Sequence, residues 1–205
     1  KALSAPSVAQ GAEIFERQKG RGELLTSLKE RLELESVPPT PAHQIAVNRF
    51  SLILTTNHDR LLESAAASAE SGHEIRYRGD AVPMPGDEAK VIFKLRGGFE
   101  REESLVLTPA DRKEHAWNEV NQKQLRQVLR KQVILFVGYK PDEEEFEILW
   151  DDLSLCYGGE LPRCHMAVAQ GRINDYLWQK WVWRGLLMFT ADPAECMSEI
   201  EQRIS

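Results

Sequence analysis

A short apolar run that ends abruptly in polar residues is the feature that most limits how this chain folds. Residues 52–56 read Leu-Ile-Leu-Thr-Thr, Asn57 and Asp59 follow, and the pair Leu61 and Leu62 then begins a helical pattern. The pattern predicts a strand whose carboxyl end presents polar side chains. Because ligands of open α/β sheets bind in the crevice beyond such strand ends, Asn57 and Asp59 are candidates for contacting a sugar or a reacting water.

A purely local role would explain the same two polar residues. Asp59, or Asn57, would cap the following helix, since side-chain oxygens of these residue types accept hydrogen bonds from the free N–H groups of a first helical turn. The sequence leaves both interpretations open.

Strand and helix patterns alternate along the rest of the chain. Further strands are predicted at 74–77, 90–95, 104–107, 132–138, 165–169 and 186–189. Helices are predicted at 8–34 in two pieces that meet at 20–22, and at 42–49, 60–71, 109–117, 119–130, 146–155, 175–185 and 193–204. The run at 132–138 is almost entirely apolar, which is typical of a strand buried on both faces. Strands separated by helices predict an α/β fold that is Rossmann-like, with a mostly parallel sheet and helices on both faces.

Length and the first residue bear on domain organisation. A chain of 205 residues is long enough for one well-buried domain, which we expect to span 1–205 as a helical segment at 1–50 and an α/β core at 51–205. Because the chain starts at Lys1 rather than Met, we expect it to be part of a longer protein with other domains. Assembly into a homo-oligomer is compatible with the sequence.

Charge and cysteine content exclude several classes of protein. The net charge of -6 argues against direct nucleic-acid binding, because neutralising phosphates requires clustered cations. With no long apolar run and no signal-peptide pattern, we expect no membrane association and a cytoplasmic location. Cys156, Cys164 and Cys196 form no Cys-x-x-Cys pair, so we expect neither a zinc site nor a disulfide framework.

Three segments resemble motifs of one family, the sirtuin-like domains. Residues 55–63, Thr-Thr-Asn-His-Asp-Arg-Leu-Leu-Glu, resemble its Thr-Thr-Asn-aromatic-Asp-x-Leu-Leu-Glu motif. Residues 94–97, Lys-Leu-Arg-Gly, are similar to the Lys-Leu-His-Gly segment that carries its catalytic histidine. Residues 136–139, Phe-Val-Gly-Tyr, followed by an acidic stretch and Phe146, are similar to its Phe-Val-Gly-Tyr-Ser segment. The three occur in the family's order and spacing over residues 40–150.

The resemblance implies a Rossmann-like domain that binds NAD and that, in many bacterial members, hydrolyses it during antiphage defence. By similarity Asn57 holds the nicotinamide ribose or positions water, Asp59 supports the loop electrostatically, and Gly138 lets the backbone approach the ligand. The implied ligands are NAD or ADP-ribose. The ligand-binding residues that the resemblance implies are Thr55, Thr56, Asn57, Gly97, Gly138 and Tyr139.

Two departures from the family motifs motivate a second hypothesis. Arg96 stands where the family has its catalytic histidine, and a guanidinium stays protonated in proteins and cannot act as a base. The family's Gly-Ala-Gly-x-Ser turn has no counterpart, since Gly11-Ala12-Glu13 lacks a preceding strand. The sequence leaves two interpretations open: the pocket is incomplete, or its missing wall lies before Lys1. The alternative is a catalytically degenerate sirtuin-like module used for binding, scaffolding or oligomerisation.

His58 occupies an aromatic position of the first motif. Imidazole titrates near neutrality and could supply a base, whereas an aromatic position favours a packing role.

Trp178, Trp181 and Trp183 crowd one predicted helix. Exposed aromatic residues are typical of protein contacts, and buried ones of a core. The sequence favours the core for Trp178 and Trp181, which share a helix face.

Overall fold

A computed structural model shows a chain built from two compact units, Lys1–Ala81 with Ala89–Asn118 and Val82–Glu88 with Glu119–Ser205. The structure describes residues 7–32, 37–82, 89–114, 119–129, 132–157, 164–168 and 173–204. Residues 82–87, whose prolines at positions 83 and 85 predict a loop, lie almost entirely outside these ranges. Each unit is described by itself.

The first unit begins with helices and continues into a parallel sheet. Its helices are α1 (Val8–Lys19), α2 (Arg21–Leu32), α3 (Pro41–Arg49), α4 (Leu61–Ser68) and α5 (Pro109–Glu114), and its strands are β1 (Leu52–Thr55), β2 (Glu74–Tyr77) and β3 (Val91–Lys94). The strand order is β1-β3-β2, and both pairs are parallel. Gly11 lies within α1.

Apolar side chains from helices and strands form the core of this unit. The fully buried members, Val47, Ala65, Ala66 and Ile92, come from α3, α4 and β3. Partly buried Ile53, Leu62 and Ile75 pack against them. Since α4 presents alanines at this contact, its backbone lies close to the sheet, and the end of β1 is held beside the start of α4.

The second unit repeats the alternation of strands and helices. It contains α6 (Glu119–Leu129), β4 (Ile134–Val137), α7 (Glu144–Tyr157), β5 (Cys164–Val168), α8 (Asp175–Trp183), β6 (Leu186–Thr190) and α9 (Pro193–Ile204). The strand order is β4-β5-β6, again parallel. The predicted α/β class and parallel pairing are confirmed.

An aromatic cluster around Trp181 fills the second unit. Trp181 is completely buried, and its ring centroid lies 4.7 Å from that of Phe146 and 5.7 Å from that of Trp150. Its indole N–H donates to the Pro141 carbonyl at 2.9 Å, which satisfies the polar atom of a buried ring. Trp181 is therefore a core residue, as predicted.

The other two tryptophans of α8 are exposed. Trp178 exposes 40% of its surface and Trp183 exposes 82%. The predicted core position is therefore confirmed for Trp181 and wrong for Trp178, because helical spacing places the two residues near each other on α8 but does not fix how far around the helix the core extends.

Two further expectations differ from the structure. The strand predicted at 104–107 is wrong: Glu102–Ser104 forms a 3-10 turn, and the segment after it lies outside both sheets. The Val106 N–H donates to the Arg96 carbonyl and the Leu107 N–H to the Asp111 carboxylate, so a loop and a helix cap take donors that a strand ladder would use. In β4, Phe136 is buried and its neighbours are half-buried, less than the expected burial on both faces.

We predict that Trp181→Ala lowers the free energy of unfolding by about 3–5 kcal/mol, the usual cost of truncating a buried tryptophan. Trp183→Ala is the matched control on the same helix, and we expect it to change stability by less than about 0.5 kcal/mol because the side chain is exposed. Urea unfolding followed by circular dichroism measures both. Equal losses in the two variants would show that Trp181 does not anchor the core.

Candidate ligand site at the carboxyl ends of β1 and β3

The strands of the first unit end level with one another. Thr55 and Tyr77, the last residues of β1 and β2, both pair in register with Lys94, the last residue of β3. The segments that follow the three strands therefore start at one edge of the sheet. This edge is the position at which parallel α/β sheets bind ligands.

A buried lysine holds this edge together. Lys94 is 0% exposed, and its ammonium donates to Glu63 Oε1 at 2.5 Å and to the Asp59 carbonyl at 2.7 Å. Glu63 lies on α4 and Asp59 in the loop after β1, so one charged group joins three segments. A charged group that is buried away from water requires such partners, because burial of an unpaired charge is strongly unfavourable.

Asp59 uses its carboxylate at the start of α4. Its Oδ1 accepts a hydrogen bond from the Leu61 N–H at 3.1 Å. This is the contact that the capping interpretation predicts, and it directs the carboxylate toward the helix rather than away from it. No contact of Asp59 with a ligand is tested by the structure, so its electrostatic role stays a prediction.

Asn57 is an exposed polar residue of the loop after β1. Its backbone N–H donates to Thr55 Oγ1 at 3.1 Å, while its side chain is exposed. Thr55 is buried, Thr56 is half-buried, and the Thr55 carbonyl accepts from the Leu95 N–H at 2.8 Å. The loop backbone is thus held by local bonds, and the Asn57 amide faces solvent.

Arg96 is the second residue after the end of β3, just as Asn57 is the second residue after the end of β1. Its carbonyl accepts from the Val106 N–H at 2.9 Å, and its side chain is half-buried. A guanidinium in this place can bind a phosphate or a carboxylate through paired N–H groups. The edge therefore combines an exposed amide with a fixed positive charge.

The backbone conformation at position 97 and its close packing on Ser104 require a glycine there. Its φ is +75°, and a Cβ built there would lie 2.1 Å from the Ser104 carbonyl oxygen. Gly98 continues the turn, with its N–H donating to Ser104 Oγ at 3.2 Å. The close packing of this turn on the 3-10 turn explains the glycine without a ligand, and a ligand contact by Gly97 stays a prediction.

His58 bridges the two loops, which sequence reasoning did not foresee. Its ring packs edge-on against Phe99, with centroids 6.1 Å apart, and bonds to the Gly97 backbone. Burial, followed by the positive charge of Arg96, lowers the pKa of His58 to about 4, so the ring is neutral at pH 7. The packing interpretation of this aromatic position is supported, and the bond to Gly97 is an addition to it.

His43 and His115 are two other histidines of the sequence. The backbone N–H of Thr40 donates to His43 Nδ1 at 3.2 Å at the start of α3, which is a structural role. His115 lies outside the described residues.

Charged and aromatic side chains around β2 complete the edge, and sequence reasoning missed them. Burial, followed by the negative charge of Glu100, raises the pKa of Tyr77 to about 12. Arg60 pairs with Glu100 at 3.1 Å, and Arg101 pairs with Asp80 at 2.6 Å. Asp80, Glu100 and Arg101 lie on loops outside the three motifs, so nothing in the sequence pattern connects them to Tyr77 or to Arg60.

Gly138 and Tyr139 follow β4 in the second unit. Gly138 has a φ of +81°, a conformation that favours glycine, and an added Cβ would meet no atom of the described residues within 4 Å. The Tyr139 ring packs on Phe146 with centroids 5.4 Å apart. Their predicted contact with a ligand is not tested.

Two broader features of the described residues bear on the class of site. They contain no group of three or more His, Cys, Asp or Glu side chains that could hold a metal ion. No helix within the described ranges is both long enough and apolar enough to cross a membrane.

We predict that Glu63→Ala lowers the free energy of unfolding by about 3–5 kcal/mol, because it leaves the buried Lys94 ammonium without its counter-ion. Glu102→Ala is the control, since Glu102 pairs with Lys29 at 2.5 Å on the surface, and we expect a loss of at most about 1 kcal/mol. Urea unfolding of both variants makes the comparison. A Glu63 variant as stable as the Glu102 variant would contradict the anchoring role.

Comparison with known proteins adds the family. Residues 51–184 match the family model described as SIR2-like domain. No curated protein matches the chain in sequence. The matched segment includes more than half of the chain and all three of the motifs at residues 55–63, 94–97 and 136–139. The chain therefore belongs to the family of SIR2-like domains, for which NAD is the expected ligand.

Proposed function

We propose that the chain binds NAD at the carboxyl edge of the β1-β3-β2 sheet and hydrolyses it to nicotinamide and ADP-ribose, as part of bacterial antiphage defence. One observation carries the proposal. In a SIR2-like domain, the exposed Asn57 amide and the Arg96 guanidinium follow two parallel strands that end in register.

The Asn57 amide suits a sugar or a water. A primary amide offers two donors and a carbonyl acceptor, which can bind a ribose hydroxyl and orient a water molecule at once. Two hydrogen bonds fix the loop that carries Asn57. The Asn57 N–H donates to Thr55 Oγ1, and the Lys94 ammonium donates to the Asp59 carbonyl. A side chain on a fixed loop binds with less loss of conformational freedom than one on a mobile loop.

The Arg96 guanidinium suits a phosphate of the dinucleotide. Paired N–H groups on a permanent cation bind phosphate oxygens strongly, and no proton transfer is required of them. Breaking a glycosidic bond places positive charge on the ribose in the transition state. A cation beside that charge opposes it, so we propose a slow hydrolase in which Arg96 contributes binding rather than base catalysis.

We predict that Asn57→Ala reduces nicotinamide release at least about tenfold, because the ribose or the attacking water loses its orienting group. Release from NAD is measured by chromatography with the 205-residue chain. Asn48→Ala is the matched control, since Asn48 is an exposed asparagine on α3, and we expect it to leave release unchanged.

Calorimetric titration with ADP-ribose separates the parts of this proposal. Binding without nicotinamide release would contradict hydrolysis and keep NAD binding. If the chain neither binds ADP-ribose nor releases nicotinamide, the proposed function as a whole is contradicted. Equal release by the Asn57 and Asn48 variants would contradict the role of Asn57.

We predict that Arg96→His raises kcat for nicotinamide release at least about tenfold, since a positioned imidazole supplies a base and removes a fixed opposing charge. Arg96→Lys keeps the positive charge and serves as control, and we expect no gain from it. Steady-state assays at saturating NAD measure kcat for both variants. An Arg96→His variant no faster than the wild type would show that the residue at this position does not limit turnover.

A further inference from the structure

His58 connects the two loops that carry the proposed ligand contacts. It lies between Asn57 and Asp59 in the loop after β1, and its ring reaches the backbone of Gly97 and the ring of Phe99 in the loop after β3. One side chain thus spans from the Asn57 loop to the segment that begins at Arg96.

The hydrogen bonding of the His58 ring identifies which of its two nitrogens bonds to Gly97. His58 Nδ1 is buried and has no hydrogen-bond partner among the described residues, so the bond with Gly97 belongs to Nε2. This bond favours the protonated ring, which means that the backbone group is the Gly97 carbonyl and that Nε2–H donates to it. Nδ1 of this neutral tautomer carries a buried lone pair.

A buried nitrogen without a partner is unfavourable and invites an explanation. A phenylalanine ring at position 58 would keep the contact with Phe99 without burying a nitrogen. What histidine adds is the donor to Gly97. In some proteins a polar group retained in a packed site fixes one arrangement and does not add stability.

The turn at Gly97 is held from its other side as well. Its close packing on Ser104 and the bond from the Gly98 N–H to Ser104 Oγ fix it to the 3-10 turn. His58 supplies the contact that fixes the same turn to the Asn57 loop. Since Arg96 directly precedes Gly97, this contact also sets where the Arg96 side chain begins.

Proton transfer by His58 does not fit this arrangement. Nε2 is engaged by a carbonyl and Nδ1 is buried, so neither nitrogen is presented to a ligand. We propose that His58 is a positioning residue: its Nε2–H bond to the Gly97 carbonyl holds the Arg96 turn against the Asn57 loop, so that both side chains meet one NAD or ADP-ribose molecule. This inference rests on the proposed function.

Four variants test the bond. His58→Phe keeps a ring on Phe99 and removes the donor, and we expect ADP-ribose affinity to fall roughly tenfold, the usual effect of losing one hydrogen bond. The amide of His58→Gln places an N–H near the position of Nε2 and should restore most of the affinity, whereas the amide of His58→Asn lies near Nδ1 and should not. His73→Phe is the control, because His73 Nε2 contacts the Phe50 carbonyl at 2.9 Å beside β1 and β2 at their opposite, amino-terminal ends.

Calorimetry with ADP-ribose, thermal unfolding, and hydrogen exchange of the Gly98 and Val106 amides without ligand are the measurements. We expect His58→Phe to unfold at a temperature no lower than the wild type and to exchange both amides roughly tenfold faster. A merely structural role would lower affinity and unfolding temperature together.

Three results would overturn the inference: wild-type affinity in His58→Phe, equal affinity in the Gln and Asn variants, or unchanged exchange at Gly98 and Val106. If the wild-type chain binds no ADP-ribose, the proposed function fails by itself. The exchange data then decide alone whether His58 holds the turn, faster exchange supporting the contact and unchanged exchange contradicting it.

Discussion

One buried ammonium determines the shape of the edge at which ligands of this fold bind. Lys94 has no contact with solvent, so its charge must be balanced from within, and Glu63 on α4 and the Asp59 carbonyl balance it. Both partners belong to the segment that contains Asn57. The electrostatic requirement of one strand residue therefore fixes the loop that follows a neighbouring strand, and this loop carries the exposed Asn57.

The same edge carries a permanent cation in the loop after β3. Arg96 stands where the resemblance to the motif places a histidine, and His58 in the loop after β1 is neutral and bonded to the backbone. The edge therefore offers donors and a permanent cation rather than a base. Such a set favours binding of hydroxyl and phosphate groups over proton abstraction, and hydrolysis in it depends on orientation of water and of the ribose.

Several elements of the fold follow from local sequence alone. The apolar run before Asn57 predicted β1, Pro193 and the pattern after it predicted α9, and the glycine at position 20 separated α1 from α2. The segment at 104–107 was predicted as a strand and is not one, since its donors bond to Arg96 and Asp111. That difference arises because a contact with the Arg96 loop and a cap at the start of α5 take the hydrogen bonds that a strand would use.

For the candidate site, residue types and spacing determined the parallel α/β class, the loops that follow β1 and β3, and the SIR2-like motif residues on them. These properties are local, because side-chain periodicity and strand ends are set by neighbouring residues. Tertiary structure alone decided that Glu63 pairs with Lys94, that Gly97 packs on Ser104, and that His58 bonds across to the next loop. Two of these contacts, Glu63 with Lys94 and His58 with Gly97, join residues distant in sequence, whereas Gly97 and Ser104 belong to one loop. Burial of charge and the shape of the turn select all three only after the strands have paired.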